Sequence, residues 1–258
     1  MIFKGYNNSM KYTLGIDVGG TKIAAGLVDK ALKVHQVRVL TTSQTDLPLQ
    51  LIKLIASFEG FSSIGLGVPG RVLSNGTVVG LPNVKKFKRG NLKKLLENRF
   101  GVPVHVMNDA RAFTLAESTV GSARKFKKVA GVIMGTGIGG GVVINKKIYS
   151  GEKYLRGGSW GTIKVRSGVT LEQAMHRFGK FTKAKQAASF AEVIIAYILQ
   201  VLEPEVIVFG GGRVKFPNIE KVLRQALKEV APRSKVAVKR SSLKYPGVIG
   251  AALPLLKK

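Results

Sequence analysis

Short segments of alternating apolar and polar residues near the start of the chain predict β-strands, because successive side chains of a strand point to opposite faces. The first three are Tyr12–Val18, Ile23–Val28 and Val34–Thr41. Only a few residues separate them, so we expect an antiparallel meander. Leu47–Phe58 instead repeats Leu and Ile at helical spacing, and Ser63–Val68 is a further strand. This order of strands and helix is typical of an α/β unit.

A second cycle of strands followed by helices begins near Val129. It contains a strand at Gly131–Met134, a glycine loop at Gly135–Gly141 and a strand at Val142–Ile144. The other predicted elements are strands at Val104–Val106 and Val206–Phe209 and helices at Ala110–Val120, Ala187–Leu202, Ile219–Val230 and Val248–Leu256. Two similar halves predict an α/β protein with an N-terminal lobe, residues 1–118, and a C-terminal lobe, residues 119–247. We expect the closing helix, 248–258, to pack back on the first lobe.

The chain is strongly basic, with 42 Lys and Arg against 14 Asp and Glu in 258 residues and a formal net charge of +28. Its basic groups are scattered over the whole sequence rather than concentrated in one element. It also has no zinc-finger pattern, no aromatic stacking motif and no helix–turn–helix segment ahead of the first glycine motif. We therefore expect no nucleic-acid partner. A hydrophobic content of 45% excludes a disordered polycation.

The chain has no cysteine, which excludes disulfides, thiolate nucleophiles and Cys-based zinc sites. Met1–Lys11 lacks the apolar core of a signal peptide. The longest uncharged stretch, Val129–Asn145, is interrupted by glycine and shorter than the roughly 20 apolar residues that span a bilayer. We expect a cytoplasmic protein with no membrane attachment.

Three glycine-rich turns follow apolar strands, at Asp17–Lys22, Gly135–Gly141 and Gly210–Gly212. Glycine lets backbone N–H groups converge on an anion, so each turn is a candidate phosphate site, although a tight turn alone also explains it. A Rossmann site is rejected, because the strand Val142–Ile144 follows where the dinucleotide fingerprint requires a helix. A P-loop sequence is absent as well. What remains is a strand–glycine–strand hairpin in each half.

Five motifs resemble, in the same order, those of the ROK family of sugar kinases and regulators. They are Leu14–Ile23, Gly65–Gly70, Val106–Ala110, Thr136–Gly141 and Val206–Gly211, and they extend over nearly the whole chain. The resemblance implies a two-lobed actin-like ATPase (ribonuclease H-like) fold with a nucleotide cleft between the lobes. It also implies a kinase that uses ATP and Mg²⁺.

By this resemblance, Asp109 is the general base that accepts the proton of the attacking sugar hydroxyl. Gly70, Asn83, Asn108 and Glu172 would bind the sugar. The residues by themselves leave simpler interpretations open, since Asn108 and Asp109 begin a helix and can be an N-cap pair. Asn83 can be a turn residue, and Glu172 can be an exposed acid in the first turn of a helix.

The resemblance also assigns the donor side. Asp17 would act near Mg²⁺, directly or through water, since a carboxylate oxygen suits this ion; a turn-forming aspartate is the alternative. Lys22 can equally be an exposed strand-edge lysine, and the third glycine run can be a simple strand–helix turn. The residues implied in nucleotide and phosphate binding are Gly19, Gly20, Thr21, Lys22, Thr136, Gly137, Gly210, Gly211 and Gly212.

One segment departs from the ROK pattern. Thr162 stands where ROK kinases usually carry a sugar-binding Glu, and Val165 where they carry a His that also binds zinc. The cysteine-rich zinc loop is missing too, so we expect no zinc. Loss of paired polar groups weakens discrimination between sugars, which leaves the acceptor undefined. Trp160 could stack on a sugar ring, although a single Trp is more often in the core.

The predicted function is phosphoryl transfer from ATP to a hydroxyl of a sugar or sugar-like compound. The sequence leaves open whether the protein forms a homodimer. The missing Glu and His are also compatible with a non-catalytic sensor of sugar or nucleotide. A net charge of +28 would concentrate a polyanionic donor near the protein. Inorganic polyphosphate, which some ROK kinases use, is therefore an alternative donor.

Overall fold

The computed structural model describes residues 12–81, 84, 87–149, 158–164, 168–177, 184–215 and 218–256. The chain divides into two compact units. Unit 1 consists of Met1–Ala112 and Gly247–Lys258, and unit 2 consists of Phe113–Pro246. Each unit has its own hydrophobic core.

Unit 1 contains two helices and two sheets. Its elements are β1 (Tyr12–Val18), β2 (Lys22–Val28), β3 (Val34–Thr41), α1 (Leu47–Ile55), β4 (Phe61–Val68), β5 (Arg71–Val72), β6 (Thr77–Val79), β7 (Arg89–Asn91), α2 (Leu92–Phe100) and β8 (Val104–Asn108). The larger, five-stranded sheet has the order β3-β2-β1-β4-β8, and the three-stranded sheet has the order β5-β6-β7. β1 is antiparallel to β2 and parallel to β4, and β4 is parallel to β8.

α3 (Asp109–Thr119) begins in unit 1 and ends in unit 2. The elements of unit 2 are β9 (Lys128–Met134), β10 (Ile138–Ile144), β11 (Lys147–Ile148), α4 (Leu171–Arg177), α5 (Ala184–Val201), β12 (Val206–Gly210), α6 (Ile219–Val230) and β13 (Ala237–Arg240). Its five-stranded sheet has the order β11-β10-β9-β12-β13. β9 is antiparallel to β10 and parallel to β12, which is parallel to β13. α7 (Pro246–Ala252) then returns the chain to unit 1.

The two large sheets therefore repeat one topology: an antiparallel meander of three strands with two parallel strands added beside the first. This is the ribonuclease H-like arrangement of actin-like proteins, and it confirms the predicted fold class. None of the described helices is long and apolar enough to cross a membrane.

The predicted glycine loop at Gly135–Gly141 is wrong in its extent, because Ile138–Gly141 belong to β10. Gly140 lies where a Cβ would come within 2.0 Å of Nε1 of Trp160. The strand needs glycine here to let the indole pack against it. Only Gly135–Gly137 form the turn.

α7 packs unusually close to the sheet of unit 1. A Cβ at Gly15 in β1 would lie 2.2 Å from the carbonyl oxygen of Val248, and one at Gly65 in β4 would lie 2.0 Å from that of Ala251. Glycine in the middle of a strand therefore marks the approach of a second backbone. The predicted closing helix ends earlier than expected, at Ala252, and a short 3₁₀ turn containing Pro254 follows.

Glu117 of α3 is fully buried and connects three segments of unit 2. Its Oε1 accepts hydrogen bonds from Oγ of Ser241 at 2.6 Å and N of Leu243 at 3.2 Å. Its Oε2 accepts from N and Oγ of Ser122 at 2.8 and 3.0 Å. Burying a carboxylate is costly unless donors surround it, so Glu117 and these loops depend on each other.

We expect Glu117→Gln to lower the free energy of unfolding of unit 2 by about 2–3 kcal/mol, because the new amide N–H₂ would face donors. Urea unfolding followed by fluorescence of the single tryptophan, Trp160 of unit 2, measures this change. Glu229→Gln, an exposed glutamate on α6, is the matched control and should change stability by less than about 0.5 kcal/mol. Equal stability of the two variants would contradict the role of Glu117.

Candidate active site

The predicted site residues Asp17, Gly70, Asn108 and Asp109 lie at one edge of the large sheet of unit 1. β1, β4 and β8 are parallel, so their carboxyl ends lie at the same edge. Asp17 lies near the end of β1, and Gly70 follows β4. Asn108 ends β8, and Asp109 begins α3.

Asn108 caps α3 and links it to the turn after β4. Its Oδ1 accepts a hydrogen bond from N of Arg111 at 3.1 Å, the N-cap geometry that the sequence left open. Its Nδ2 donates to the carbonyl oxygen of Gly70 at 3.2 Å. Gly70 has φ of +98°, and a Cβ there would lie 2.1 Å from the carbonyl oxygen of Gly80. A glycine is required at this point of the site.

Asp109 is the first residue of α3, and its Oδ1 accepts a hydrogen bond from N of Ala110 at 2.8 Å. Capping by Asn108 means that Asp109 is not needed to start the helix. Its carboxylate is held by a local backbone contact at the edge where Asp17 also lies.

Both carboxylates have strongly raised pKa values. Burial, followed by the negative charge of Asp109, raises the pKa of Asp17 from 3.8 to about 7. Burial raises the pKa of Asp109 from 3.8 to about 6, although hydrogen bonds from backbone N–H groups lower it. Two anions that destabilise each other are a suitable environment for a cation, and carboxylate oxygens are ligands that Mg²⁺ prefers.

Gly247, near the start of α7, lies directly against the carboxylate of Asp17. A Cβ at this position would lie 2.2 Å from both Cγ and Oδ2 of Asp17. The glycine therefore leaves the space that the carboxylate occupies. No motif singled out Gly247, because its relation to Asp17 exists only in the folded chain.

We expect Asp17→Asn to stabilise unit 1 at alkaline pH. The folded-state pKa of about 7 exceeds the unfolded value, so the ionised carboxylate costs folding free energy above about pH 7. This cost decreases as the pH falls below about 7 and disappears only below the unfolded pKa of 3.8, where both states are protonated. We expect the free energy of unfolding to increase by about 1–2 kcal/mol at pH 8. This is less than the full shift of the Asp17 pKa would give, because the side chain keeps some solvent access.

Thermal unfolding in magnesium-free buffer at pH 8 and pH 4.5 measures this effect. Asp29→Asn is a control of opposite sign, because hydrogen bonding to His35 lowers the pKa of Asp29. An Asp17→Asn variant whose stability gain is the same at both pH values would contradict the prediction.

The turn Gly19–Lys22 between β1 and β2 is a candidate phosphate site, which we call the first phosphate turn. It is closed by its own backbone and by Thr42. N of Gly19 donates to the carbonyl oxygen of Lys22 at 2.9 Å. The buried Thr42 donates its N–H to the carbonyl oxygen of Thr21 at 3.0 Å and its hydroxyl to that of Gly19 at 2.9 Å. The side chains of Thr21 and Lys22 are exposed. Thr42 therefore fixes this turn from the end of β3, although no motif includes it.

The second candidate phosphate site is the turn Gly135–Gly137 of unit 2, which we call the second phosphate turn. In it, N of Gly135 donates to the carbonyl oxygen of Gly137 at 2.9 Å. Thr136 is exposed at its tip. Nε of Arg213 donates to the carbonyl oxygen of Gly135 at 2.8 Å. Arg213 was not among the residues predicted from the sequence. The signal that could have indicated it is a basic residue immediately after a glycine run.

Glu172 contacts the same turn from α4. Its Oε2 accepts a hydrogen bond from N of Ile138 at 3.1 Å. A Cβ at Gly137 or Gly161 would lie 2.8 Å from this oxygen. The carboxylate is thus placed beside the second phosphate turn, and its contact with a sugar stays a prediction.

The third glycine run differs from a simple strand–helix turn. Gly210 ends β12, and Gly212 begins a 3₁₀ turn, Gly212–Val214, well before α6. Gly211 has φ of +95°, and a Cβ there would lie 2.4 Å from the carbonyl oxygen of Met134. The run therefore crosses the end of β9, next to the second phosphate turn.

Trp160 lies in the core of unit 2, with 1% of its surface exposed. Its Nε1 donates to the carbonyl oxygen of Gly131 at 2.7 Å, and its ring meets that of Tyr197 edge to face. Trp160 is therefore a core residue, and the alternative that its indole stacks on a sugar ring is wrong. Thr162 is exposed, and its hydroxyl donates to the carbonyl oxygen of Ser159 at 2.8 Å.

Asn83 and Val165 lie outside the described residues. Within the part of the chain that the structure describes, no group of three or more His, Asp and Glu side chains is arranged to hold a metal ion.

A model of the ROK family matches residues 13–170. The glucokinase of Streptomyces coelicolor is 37% identical over 154 residues, which cover 55% of this chain and 47% of that protein, so this chain matches about half of its length. The N-acetyl-D-glucosamine kinase of Pasteurella multocida is 26% identical over 308 aligned positions, covering 96% of this chain and 100% of that protein.

Two solved structures share the fold. The ROK hexokinase of Thermus thermophilus has a TM-score of 0.76 and 26% identity, covering 94% of this chain and 97% of that chain. The inorganic polyphosphate/ATP-glucomannokinase of an Arthrobacter species has a TM-score of 0.72 and 25% identity, covering 95% and 98%. The family match extends from β1 to the residue before α4 and includes Asp17 and Asp109. This chain belongs to the ROK family.

Proposed function

We propose that the protein is a sugar kinase that transfers the γ-phosphoryl group of ATP to a sugar hydroxyl in the cytoplasm. The observation that carries this proposal is the pair of carboxylates at the carboxyl edge of the unit 1 sheet, Asp17 and Asp109. Their pKa values of about 7 and about 6 suit a cation site and a base, respectively. The kinase names of the relatives support the same reaction class.

Asp109 is the general base in this proposal. It takes the proton of the attacking hydroxyl while the sugar oxygen bonds to the γ-phosphorus and the bond to the leaving ADP oxygen breaks. A pKa of about 6 leaves the carboxylate largely ionised at neutral pH yet more basic than an exposed aspartate. Asn108 and the Gly70 turn, which are hydrogen-bonded to each other, hold the base in position and border the acceptor.

Asp17 would hold Mg²⁺, directly or through water. When bound, the ion neutralises phosphate charge. The Gly19–Lys22 turn would bind donor phosphates through the N–H groups of Gly20 and Thr21 and the exposed side chain of Lys22. In unit 2, the Gly135–Gly137 turn and Gly210–Gly212 would bind phosphate and adenosine.

The acceptor would be a hexose or amino sugar contacted by Asn108, Gly70, Asn83 and Glu172. ADP release measured over a panel of glucose, mannose, N-acetylglucosamine and N-acetylmannosamine tests the proposal. We expect turnover of at least one of these sugars that requires Mg²⁺. Calorimetric binding of ATP without turnover of any of these sugars would instead favour the sensor alternative.

Inorganic polyphosphate is a second candidate donor, favoured by one surface of unit 2. A groove of about 590 Å³ beside α6 and the end of β13 is bordered by four cationic side chains. The acidic residue that lines this groove, Glu220, accepts a hydrogen bond from N of Arg240 at 3.2 Å. Its carboxylate also lies 3.7 Å from Nη2 of Arg224. The cationic residues are Lys221, Arg224, Lys228 and Arg240.

Sugar phosphorylation with long-chain polyphosphate in place of ATP tests this candidate. We expect its rate to fall steeply with salt and to fall further in the Lys221→Gln/Arg224→Gln/Lys228→Gln variant, while the ATP-dependent rate stays within about twofold. Absence of polyphosphate-dependent product at low salt would exclude polyphosphate as a donor.

A further inference from the structure

Arg213 lies where two glycine segments of unit 2 meet. β9 and β12 are parallel neighbours, with Gly210 opposite Ile133, so their carboxyl ends are adjacent. The chain then passes over Met134 at Gly211, where the positive φ and the 2.4 Å approach admit only glycine. The 3₁₀ turn that follows is anchored in the core by Val214, which is 2% exposed. This course of the backbone places Arg213 beside the second phosphate turn.

The contact of Arg213 determines how that turn presents its backbone. Nε donates to the carbonyl oxygen of Gly135 at 2.8 Å. In a planar trans peptide, the carbonyl of Gly135 and the N–H of Thr136 point in opposite directions. Holding the carbonyl towards the guanidinium therefore directs the Thr136 N–H away from Arg213, at the exposed tip of the turn.

A negative charge next to the second phosphate turn must also be offset before a phosphate can bind there. The Glu172 carboxylate contacts the other side of the turn, through N of Ile138 at 3.1 Å. A phosphate approaching Thr136 would meet the field of this carboxylate. The permanent charge of Arg213, on the carbonyl side of Gly135, offsets it.

We propose that Arg213 is a positioning residue for the donor: it orients the second phosphate turn and supplies the positive charge that selects a phosphorylated ligand such as a nucleoside di- or triphosphate. The inference rests on the proposed function, because it takes the Gly135–Gly137 turn as a phosphate site. It adds a residue outside every motif of the sequence. Its prediction is specific, since Arg213 should affect phosphates and not the nucleoside.

Calorimetric titration of ATP, ADP and adenosine at low salt tests this role in wild type, Arg213→Gln, Arg213→Lys and Lys215→Gln. Arg213→Gln should weaken ATP binding about 10- to 30-fold, the range of a charge-assisted contact, and adenosine binding less than twofold. Arg213→Lys should recover at least a third of the loss on a logarithmic scale. Lys215→Gln removes an exposed charge two residues away and should change ATP binding less than twofold.

Kinetics give an independent readout: Arg213→Gln should raise KM for ATP about tenfold and leave KM for the sugar unchanged. Equal losses for ATP and adenosine, or none for ATP, would overturn the role of Arg213 while sugar phosphorylation by the wild type kept the proposed function intact. A wild-type protein that binds neither ATP nor adenosine would overturn both.

Discussion

Asp109→Asn should lower kcat for sugar phosphorylation about 10²- to 10⁴-fold, the usual contribution of a positioned base. The amide retains the size of the carboxylate and an Oδ1 that can accept the N–H of Ala110, as Asp109 does at 2.8 Å. It cannot accept the proton of the acceptor. Binding of sugar and ATP, measured by calorimetry, should therefore stay within a few-fold of wild type.

The pH dependence provides a second measurement of the same base. Only ionised Asp109 can accept a proton, so wild-type kcat/KM should fall about tenfold per pH unit below about 6. Asp46→Asn is a matched control in the same unit, because asparagine also caps helices well and Asp46 accepts from N of Leu49 in that role. An Asp109→Asn variant as active as this control would refute the assignment of the base.

The sequence predicts most strands of the two large sheets but misses β11 and β13, the edge strands of the unit 2 sheet. β1, β4, β9 and β12 are apolar runs that end at glycine or proline, which makes them visible without a structure. α2 went unpredicted because only Leu92 and Leu96 of its nine residues are buried. β5, β6 and β7 have two or three residues each, too few to establish an alternating pattern.

The candidate site divides in a similar way. Asp17, Asn108 and Asp109 lie inside motifs at strand ends, and the family resemblance proposed them as site residues. Thr42 and Arg213 act on the phosphate turns from segments distant in sequence, through hydrogen bonds that no spacing reveals.

Glycine was the most ambiguous signal. The run at Gly139–Gly141 suggested a phosphate loop, yet Gly140 makes room for Trp160 within a strand. Gly70 and Gly211, by contrast, have positive φ values at turns of the site. Only the backbone conformation and the neighbouring atoms separate a packing glycine from a turn glycine.

The second large effect is expected from Gly247→Ala, a change of one methyl group outside every motif. The new Cβ would lie 2.2 Å from Cγ and Oδ2 of Asp17, so the carboxylate must move. A displacement of about 1 Å in a catalytic group can cost about 10²-fold in rate. We expect a loss of this size in kcat/KM, together with a higher Mg²⁺ concentration for half-maximal activity, because Asp17 would no longer be placed to hold the ion.

Ile249→Val is the control for general destabilisation, since it shortens a buried side chain of the same helix at a cost of about 1 kcal/mol. Its activity should stay near wild type.

A double-mutant cycle with Asp17→Asn tests whether the loss of activity in Gly247→Ala arises from displacement of Asp17. If Gly247→Ala acts by displacing Asp17, it should cause little further loss in the Asp17→Asn background. Additive losses would show that the methyl group damages the site in another way.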